Sequence, residues 1–364
     1  MKRALTGVLL LLGCGGEAAP APVPAAASAA PEVVAAPAEP VLVDAGETDA
    51  AEASAPRSSD AFFGEPDAPR LGVLARAEPT QIERGSGGRS LAFRLTFADG
   101  SRGYFKPEQT FSGAHFAAEI AAYHLDRMLG LGRVPPTVGR RMDWAPLRAA
   151  AGGDARVSEA VVREGAVCGS ISYWVPERLV PIRLGLGWES WVRFAPAPSI
   201  SPFQRARLYA AQASGAVERP EPAETLRAAD APDTADRAAE LSDLVLFDYL
   251  TENIDRWGGD YTNVRTRGPG GALVFLDNAA GFIDAPQASP GFMDSRLHAV
   301  QRFRRSTIEA IRAFSIDAFR ARLEADACAV LSERQYAQLE ARRATLLAHV
   351  DRVIAEHGES ALAY

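Results

Sequence analysis

The chain has 364 residues, of which 47% are hydrophobic, and it carries a formal net charge of −7 with a sequence pI near 5.4. The apolar fraction is sufficient for a hydrophobic core, which excludes a chain that is disordered throughout. The acidic balance and the lack of a dense run of Lys or Arg exclude nucleic acid as an expected partner.

The first 13 residues have the pattern of a signal peptide. A basic start is followed by an apolar run at residues 4–12, which is too short to span a bilayer. The sequence Leu11-Leu12-Gly13-Cys14 resembles the lipobox of bacterial lipoproteins, in which the cysteine is acylated and becomes the new N-terminus. The alternative is an ordinary signal peptide with an incidental cysteine. The resemblance predicts an exported protein anchored by a lipid on Cys14 to the bacterial cell envelope, and Gly15 rather than Asp after the cysteine favours the outer membrane.

Residues 14–60 are predicted to form a lipidated tether. Ala, Pro, Glu and Val dominate this segment and no aromatic residue occurs in it, so it cannot bury enough surface to offset the entropy cost of ordering. Its prolines should keep it extended. The folded domain is therefore expected to cover residues 61–364.

The first predicted elements form a small, mixed lobe at about residues 61–180. Apolar side chains alternate along residues 91–97, and a turn leads into a second strand at 102–105, which predicts a hairpin. A glycine-rich segment at residues 84–89 precedes it. A helical repeat at 113–129 predicts a helix, and short strands are expected at 170–175 and 178–180.

The second lobe, at about residues 181–364, is predicted to be mostly helical. Residues 149–166 and 220–232 are rich in Ala, Gly, Pro and acids, and we expect loops there. A short buried strand is expected at 272–276. Helices are predicted at residues 240–253, 295–314, 316–324 and 332–356. An α+β fold follows, and the sequence contains no internal repeat.

Two carboxylates stand out because of where they lie along the chain. Asp255 follows a predicted helix, and Asp277 follows a predicted buried strand about twenty residues later. Phosphotransferases place a catalytic base and a metal ligand in this way, and hard cations prefer oxygen ligands. Either Asp alone would more often be a turn or cap residue, but the pair indicates a site.

Four blocks in the expected order resemble the four-jointed family of secretory-pathway kinases and its Golgi casein-kinase relatives. The blocks are Tyr104-Phe105-Lys106-Pro107, residues 118–136, residues 245–256 and residues 267–278. The resemblance implies a two-lobed, protein-kinase-like fold with a β-rich N-lobe and a helical C-lobe. It also implies a nucleotide, ATP, bound between the lobes.

The same resemblance implies roles for residues of the N-lobe. Lys106 would bind the ATP phosphates and Glu119 would pair with it or help to hold a metal ion. Lys2 and Lys106 are the two lysines of the chain, which otherwise uses arginine. The lysine at position 106 therefore indicates that an ammonium group, not a guanidinium, is needed there. Gly87 and Gly88 in the glycine-rich segment would contact the nucleotide, and the alternative is that glycines there serve only a tight turn. Trp174 lies in the segment that resembles the inter-lobe stretch, where adenine would dock, although a core role is equally compatible with its sequence context.

In the C-lobe, the resemblance implies that Asp255 is the catalytic carboxylate and that Asp277 binds Mg²⁺ or Mn²⁺. Arg256 could brace the catalytic loop. The second metal ligand is ambiguous, because Asp260 lies at the usual spacing and Asn263 lies three residues further on.

The resemblance predicts transfer of the γ-phosphoryl group of ATP to a hydroxyl, on Ser or Thr of an exported protein or on a glycan. A pseudokinase, or a non-catalytic envelope-binding lipoprotein, is the alternative. Cys168 and Cys328 could pair after export or remain as buried thiols. The five histidines show no metal-ligand spacing and receive no role.

Overall fold

The structure is a computed structural model. It describes residues 60–86, 88–111, 115–182, 184, 187–194, 203, 232–257, 263–284, 291–328 and 331–364. The predicted signal peptide, Cys14 and nearly all of the tether lie outside these residues, and so do Gly87 and Asp260.

An antiparallel sheet forms the N-terminal lobe. Over the whole described part of the chain, three sheets contain the strands β1 (Ala61–Phe62), β2 (Glu65–Pro66), β3 (Gln81–Arg84), β4 (Phe93–Thr96), β5 (Arg102–Pro107), β6 (Thr137–Asp143), β7 (Val162–Arg163), β8 (Ala166–Tyr173), β9 (Leu179–Pro181), β10 (Arg265–Arg267) and β11 (Leu273–Val274). Six of them pair in the order β3-β4-β5-β8-β6, with β7 against β8. The predicted hairpin is confirmed as β4 and β5, with Leu95 opposite Gly103.

The helices are α1 (Ala68–Arg76), α2 (Phe116–Met128), α3 (Trp144–Ala151), α4 (Arg237–Thr251), α5 (Phe292–Leu297), α6 (Arg305–Ala313), α7 (Ile316–Glu324) and α8 (Glu333–His357). One face of the six-stranded sheet packs against α1 and α3, because Phe105 and Ile171 join Leu74 and Leu147 in one buried cluster. Apolar residues of α2 instead join the core of the helical C-lobe. Helix α2 therefore links the sheet to the C-lobe.

Two of the predicted elements were wrong. The expected loop at 149–166 contains the end of α3, a 3-10 helix at Ala155–Glu159, β7 and the start of β8. The expected single helix at 295–314 is divided into α5 and α6. Val300 and Phe303 are buried between them, and the backbone N–H of Phe303 donates to the carbonyl oxygen of Ala361 at 2.8 Å. Tertiary hydrogen bonds thus replace the helical ones over this segment.

The loop that follows α7 joins the C-lobe to the sheet. Cys328, in this loop, forms a disulfide with Cys168 on β8, with a Cα–Cα distance of 5.7 Å. The carboxylate of Asp326 accepts hydrogen bonds from the backbone N–H of Gly139 on β6 at 2.8 Å and lies 3.0 Å from Nε2 of His124 on α2. Glycine is required here, since a Cβ at Gly139 would lie 1.5 Å from a backbone carbonyl oxygen. Among the described helices, none is long and apolar enough to cross a bilayer.

Candidate active site

Lys106 lies near the end of β5 and points away from the core. Its neighbour Phe105 is fully buried on the opposite face of the strand, as the period of two requires. The Lys106 Nζ lies 2.5 Å from Oε1 of Glu119 and 2.8 Å from Oδ1 of Asp277. Burial would lower the pKa of Lys106, but the charges of the two carboxylates outweigh burial and raise the pKa above its ordinary value. The ammonium group is therefore charged at every ordinary pH.

Glu119 is held in place by the first turn of α2 and by the segment that follows Asp277. Its side chain is buried, and its Oε2 accepts from the backbone N–H of Asn278 at 3.1 Å. Helix α2 begins after His115, whose backbone N–H donates to the carbonyl oxygen of Ala279 at 2.9 Å. Glu119 is thus a buried contact between lobes, not an exposed helix carboxylate.

Asp277 follows β11 and has a left-handed backbone conformation with φ of 61°. Such a conformation is uncommon for a residue other than glycine and is kept where the surroundings impose it. Here the Nδ2 of Asn253 donates to the carbonyl oxygen of Asp277 at 3.3 Å. The carboxylate is about half exposed, and the positive charge of Lys106 holds its pKa below the ordinary value.

Arg256 connects the loop of Asp255 to the segment of Asp277. Its guanidinium is buried, and Nε lies 2.8 and 2.9 Å from the carboxylate oxygens of Asp248 on α4. The other guanidinium nitrogens donate to the carbonyl oxygen of Leu276 and, at 2.5 Å, to Oδ1 of Asn278. The fork geometry of Arg suits this threefold contact, so Arg256 braces both segments.

Asp255 begins a 3-10 helix, Asp255–Trp257, on the C-lobe side of the site. Desolvation of its carboxylate and then the negative charge of Asp277 raise its pKa, while Lys106 acts in the opposite direction. Asp255, Asp277 and Lys106 therefore lie within electrostatic range of one another. The Nδ2 of Asn263 donates weakly to Oδ2 of Asp255 at 3.4 Å.

Asp277 and Glu119 are the residues here that could hold a divalent cation, because both carboxylates already converge on one positive charge. Within the described residues, no group of three or more His, Cys, Asp and Glu side chains could hold a metal ion. Mg²⁺ is commonly bound by one or two carboxylates, with substrate phosphates and water completing its shell. The donor set fits that pattern. Asn263 contacts Asp255 in this structure, and Asp260 lies outside the described residues.

Of the remaining predicted nucleotide contacts within the described residues, Gly88 lies in the turn between β3 and β4 and Trp174 follows β8. Gly88 has φ of 72°, and its carbonyl oxygen accepts from Arg156 at 3.0 Å. Trp174 is half buried just after β8, with its ring centroid 5.9 Å from that of Tyr104.

Sequence reasoning gave no role to Asp248, Asn253 or Tyr104. Asp248 could have been noticed as a carboxylate in an otherwise apolar stretch of α4, and Tyr104 as the residue two positions before Lys106 on the same strand face. No signal in the sequence distinguishes Asn253 from an ordinary polar residue at a helix end.

The family model described as "Golgi casein kinase, C-terminal, Fam20" matches residues 71–168 and 190–362. The chain belongs to this family. The match includes parts of both lobes, with Lys106 and the two carboxylates that pair with it, Glu119 and Asp277, and the predicted family is confirmed.

The relatives of this Fam20-family chain include one named as a kinase and one named as a pseudokinase. Human four-jointed box protein 1 is 31% identical over 230 residues, which is 57% of this chain and 44% of the relative. The glycosaminoglycan xylosylkinase of Danio rerio is 28% identical over 245 residues, covering 58% and 56% of the two chains. The human pseudokinase FAM20A is 26% identical over 335 residues, covering 80% and 59%. The chain spans about half the length of the curated relatives it matches.

Solved structures of the family share this fold. The structure of hydra Fam20 with sugar superposes with a TM-score of 0.57 at 21% identity, covering 79% of this chain and 89% of the other. The Golgi casein kinase with Mn/ADP bound gives a TM-score of 0.54 at 19% identity, covering 80% and 77%. The predicted two-lobed, kinase-like α+β fold is confirmed by these matches.

Proposed function

We propose that this Fam20-family protein transfers the γ-phosphoryl group of ATP to an alcohol, either Ser or Thr of an exported protein or a glycan hydroxyl. The observation that supports this most is the position of Lys106 between Glu119 and Asp277, with Asp255 in electrostatic range. Phosphoryl transfer depends mainly on positioning and on charge stabilisation. These four side chains, from four different elements of the chain, supply both.

Each residue has a defined part in the reaction. Lys106 contributes a fixed positive charge to the phosphates, and Arg256 keeps the segments of Asp255 and Asp277 in register. Asp255 accepts the proton of the acceptor hydroxyl as its oxygen bonds to the γ-phosphorus. The bond from the γ-phosphorus to the bridging oxygen breaks and ADP leaves. The raised pKa of Asp255 makes it a better proton acceptor than an ordinary carboxylate.

Asp277 and Glu119 would hold Mg²⁺ or Mn²⁺ against the phosphates. A divalent cation supplies charge neutralisation of the transferring group. Lys106 must then give up part of its contact with Asp277 and turn towards the phosphates. The half-exposed carboxylate of Asp277 leaves room for that exchange.

Radiolabel transfer from [γ-³²P]ATP tests the proposal directly. The purified protein would be incubated with MnCl₂ and with casein or simple glycans as acceptors. We expect transfer by the wild type and a loss of about 100-fold or more in Asp255→Asn. Asp351→Asn is the matched control, because Asp351 is an exposed carboxylate on α8 that pairs with Arg312 and lies outside the site. Absence of transfer to any acceptor would contradict an active kinase, and full transfer by Asp255→Asn would contradict the role assigned to Asp255.

A nucleotide-binding pseudokinase is the second candidate, and the alignment with human pseudokinase FAM20A over 80% of this chain favours it. Both candidates bind the nucleotide, but only the active kinase transfers its phosphoryl group. Metal-dependent ATP binding without transfer to any acceptor supports the pseudokinase. Absence of both supports the envelope-binding alternative.

We also propose export and lipid anchoring through Cys14, supported by the Leu11-Leu12-Gly13-Cys14 motif after the apolar run. The acceptor would then be a protein or glycan outside the cytoplasm. Detergent-phase partitioning tests the anchor: the wild type should enter the detergent phase and Cys14→Ser should not. A Cys14→Ser variant that partitions like the wild type contradicts it.

A further inference from the structure

Asp255 is exposed, but the two residues that follow it are fully buried. Arg256 and Trp257 complete the 3-10 helix that Asp255 begins. The position of the Asp255 carboxylate therefore depends on how these two buried side chains are held. Asp248 and the segment of Asp277 hold Arg256, and a second set of contacts holds Trp257.

Arg296, on α5, contacts Trp257 in two ways. Its Nη2 donates to the carbonyl oxygen of Trp257 at 3.3 Å, and its guanidinium carbon lies 5.6 Å from the centroid of the indole ring. The same carbon lies 4.1 and 5.3 Å from the ring centroids of Phe292 and Phe203. All three rings are within cation–π range, and Arg296 is fully buried. These contacts tie α5 to the loop of Asp255.

Two aromatic rings pack against Trp257 as well. Trp188 stacks on the indole with a centroid distance of 6.0 Å, and Phe203 meets it edge-on at 5.0 Å. A closely packed cluster transmits a displacement instead of absorbing it. A change at Arg296 would therefore move Trp257 and, with it, the short helix that carries Asp255.

Arg296 also acts on Asp248, the buried carboxylate that binds Arg256. Burial raises the pKa of Asp248 to about 6, whereas Arg256, Trp257 and Arg296 act in the opposite direction. Since a guanidinium is always charged, Arg296 helps to keep Asp248 ionised at neutral pH. The ionised form of Asp248 is the one that pairs with Arg256, so Arg296 supports both of the buried residues that follow Asp255.

We propose that Arg296 is a positioning residue for phosphoryl transfer, which sets the place of the Asp255 carboxylate through Trp257. This inference rests on the proposed function, because it needs Asp255 to accept the proton of the acceptor hydroxyl. Arg296 is fully buried, so it acts through the loop and not by contact with the nucleotide or the acceptor. A misplacement of about 1 Å can cost roughly 100-fold in rate. Loss of Arg296 should therefore lower kcat and leave ATP binding unchanged.

The test measures radiolabel transfer from ATP to casein, or to the simple glycan that the wild type accepts, with rates scaled to the folded fraction of each variant. Arg296→Met should lower kcat by about 10- to 100-fold and leave the KM for ATP unchanged. The acidic limb of its pH–rate profile should move to higher pH, because Asp248 loses a positive charge that favours its ionised form. Arg296→Lys keeps that charge without the planar fork, so it should keep the acidic limb and recover only part of the rate.

The matched control is a destabilising change elsewhere in the same core. Ile311 on α6 is buried in the hydrophobic cluster that includes Trp257, and α6 carries none of the site residues. Ile311→Ala leaves a cavity and should lower the urea midpoint of unfolding. It should not change kcat of the folded fraction or the acidic limb, because the loop of Asp255 keeps its contacts.

Two kinds of failure can be told apart. If Arg296→Met behaves like Ile311→Ala in kcat and in the acidic limb, Arg296 is only structural, and the inference is overturned while the proposed function stands. If Arg296→Met does not fold, Arg296→Lys decides: a lowered kcat with unchanged KM supports the inference, and a wild-type kcat overturns it. A wild type that transfers no phosphate overturns the proposed function, and the inference with it.

Discussion

Removing the Cys168–Cys328 disulfide should destabilise the protein strongly. The bridge joins strand β8 of the N-lobe to the loop after α7 in the C-lobe, over a sequence separation of 160 residues. In the chain-entropy model, the bridge closes a loop of about 160 residues and so lowers the conformational entropy of the oxidised unfolded chain. The free energy of that unfolded state rises by about 5 kcal/mol relative to the reduced unfolded chain. Measured losses for native bridges are about 2–5 kcal/mol. We therefore expect the free energy of unfolding to fall by an amount in that range.

The assay is equilibrium urea denaturation of the wild type and of a Cys168→Ser/Cys328→Ser double variant, followed by circular dichroism. The double variant keeps the hydrogen bond from Gly139 to Asp326, so local docking of the loop is preserved while the covalent link is lost. Reductant should shift the wild type towards the double variant and leave the double variant unchanged. Unfolding free energies that agree within about 1 kcal/mol would refute the loop-closure argument.

Three further predictions concern the site and the core. Lys106→Arg should lose most of its ATP affinity, measured by calorimetry, although the charge is kept. Asp277→Ala should lose Mn²⁺-dependent nucleotide binding, whereas Asp255→Ala should keep it and lose about 100-fold or more in transfer rate; equal effects on binding would contradict the assigned roles. Burial lowers the pKa of His349 to about 4, so stability should fall as pH drops from about 6.5 to 4, where only the unfolded state gains the proton. In His349→Gln, the urea midpoint of unfolding should depend less on pH over that range. A pH dependence equal to that of the wild type would contradict this prediction.

Local patterns predicted the elements that carry the site. The period of two in residues 91–97 places Phe93 and Leu95 in the core, as the structure does. Helix α7 has the predicted bounds, and α8 begins after Ser332, whose side chain makes a capping box with Gln335. These features depend on neighbours within a few residues, which is why sequence alone is sufficient for them.

Contacts distant in sequence could not be predicted. Strand β6 pairs with β8, but its sequence shows no hydrophobic alternation. The alternation is missing because Gly139 and Arg140 make contacts with other elements. The same limit applies within the site. The contact of Glu119 with Asn278 joins residues 159 positions apart, whereas helical periodicity places Glu119 in a helix and does not identify its partner. Glu119 is buried because of this tertiary contact with the segment of Asn278.

The position of the single lysine of the folded domain is explained by the geometry around it. Glu119 and Asp277 come from different lobes, and both reach the same Nζ atom of Lys106, at 2.5 and 2.8 Å. A guanidinium distributes its donors over separate nitrogens in a rigid plane, so where Arg127 contacts two carboxylates it binds Asp67 through Nε and Asp126 through Nη1. An ammonium group is a point charge that can turn from one oxygen to another at constant distance. A single donor atom that contacts two carboxylates and then turns to phosphates is therefore best supplied by lysine, even in a chain that uses arginine for its other described ion pairs with Asp and Glu, the histidine pairs apart.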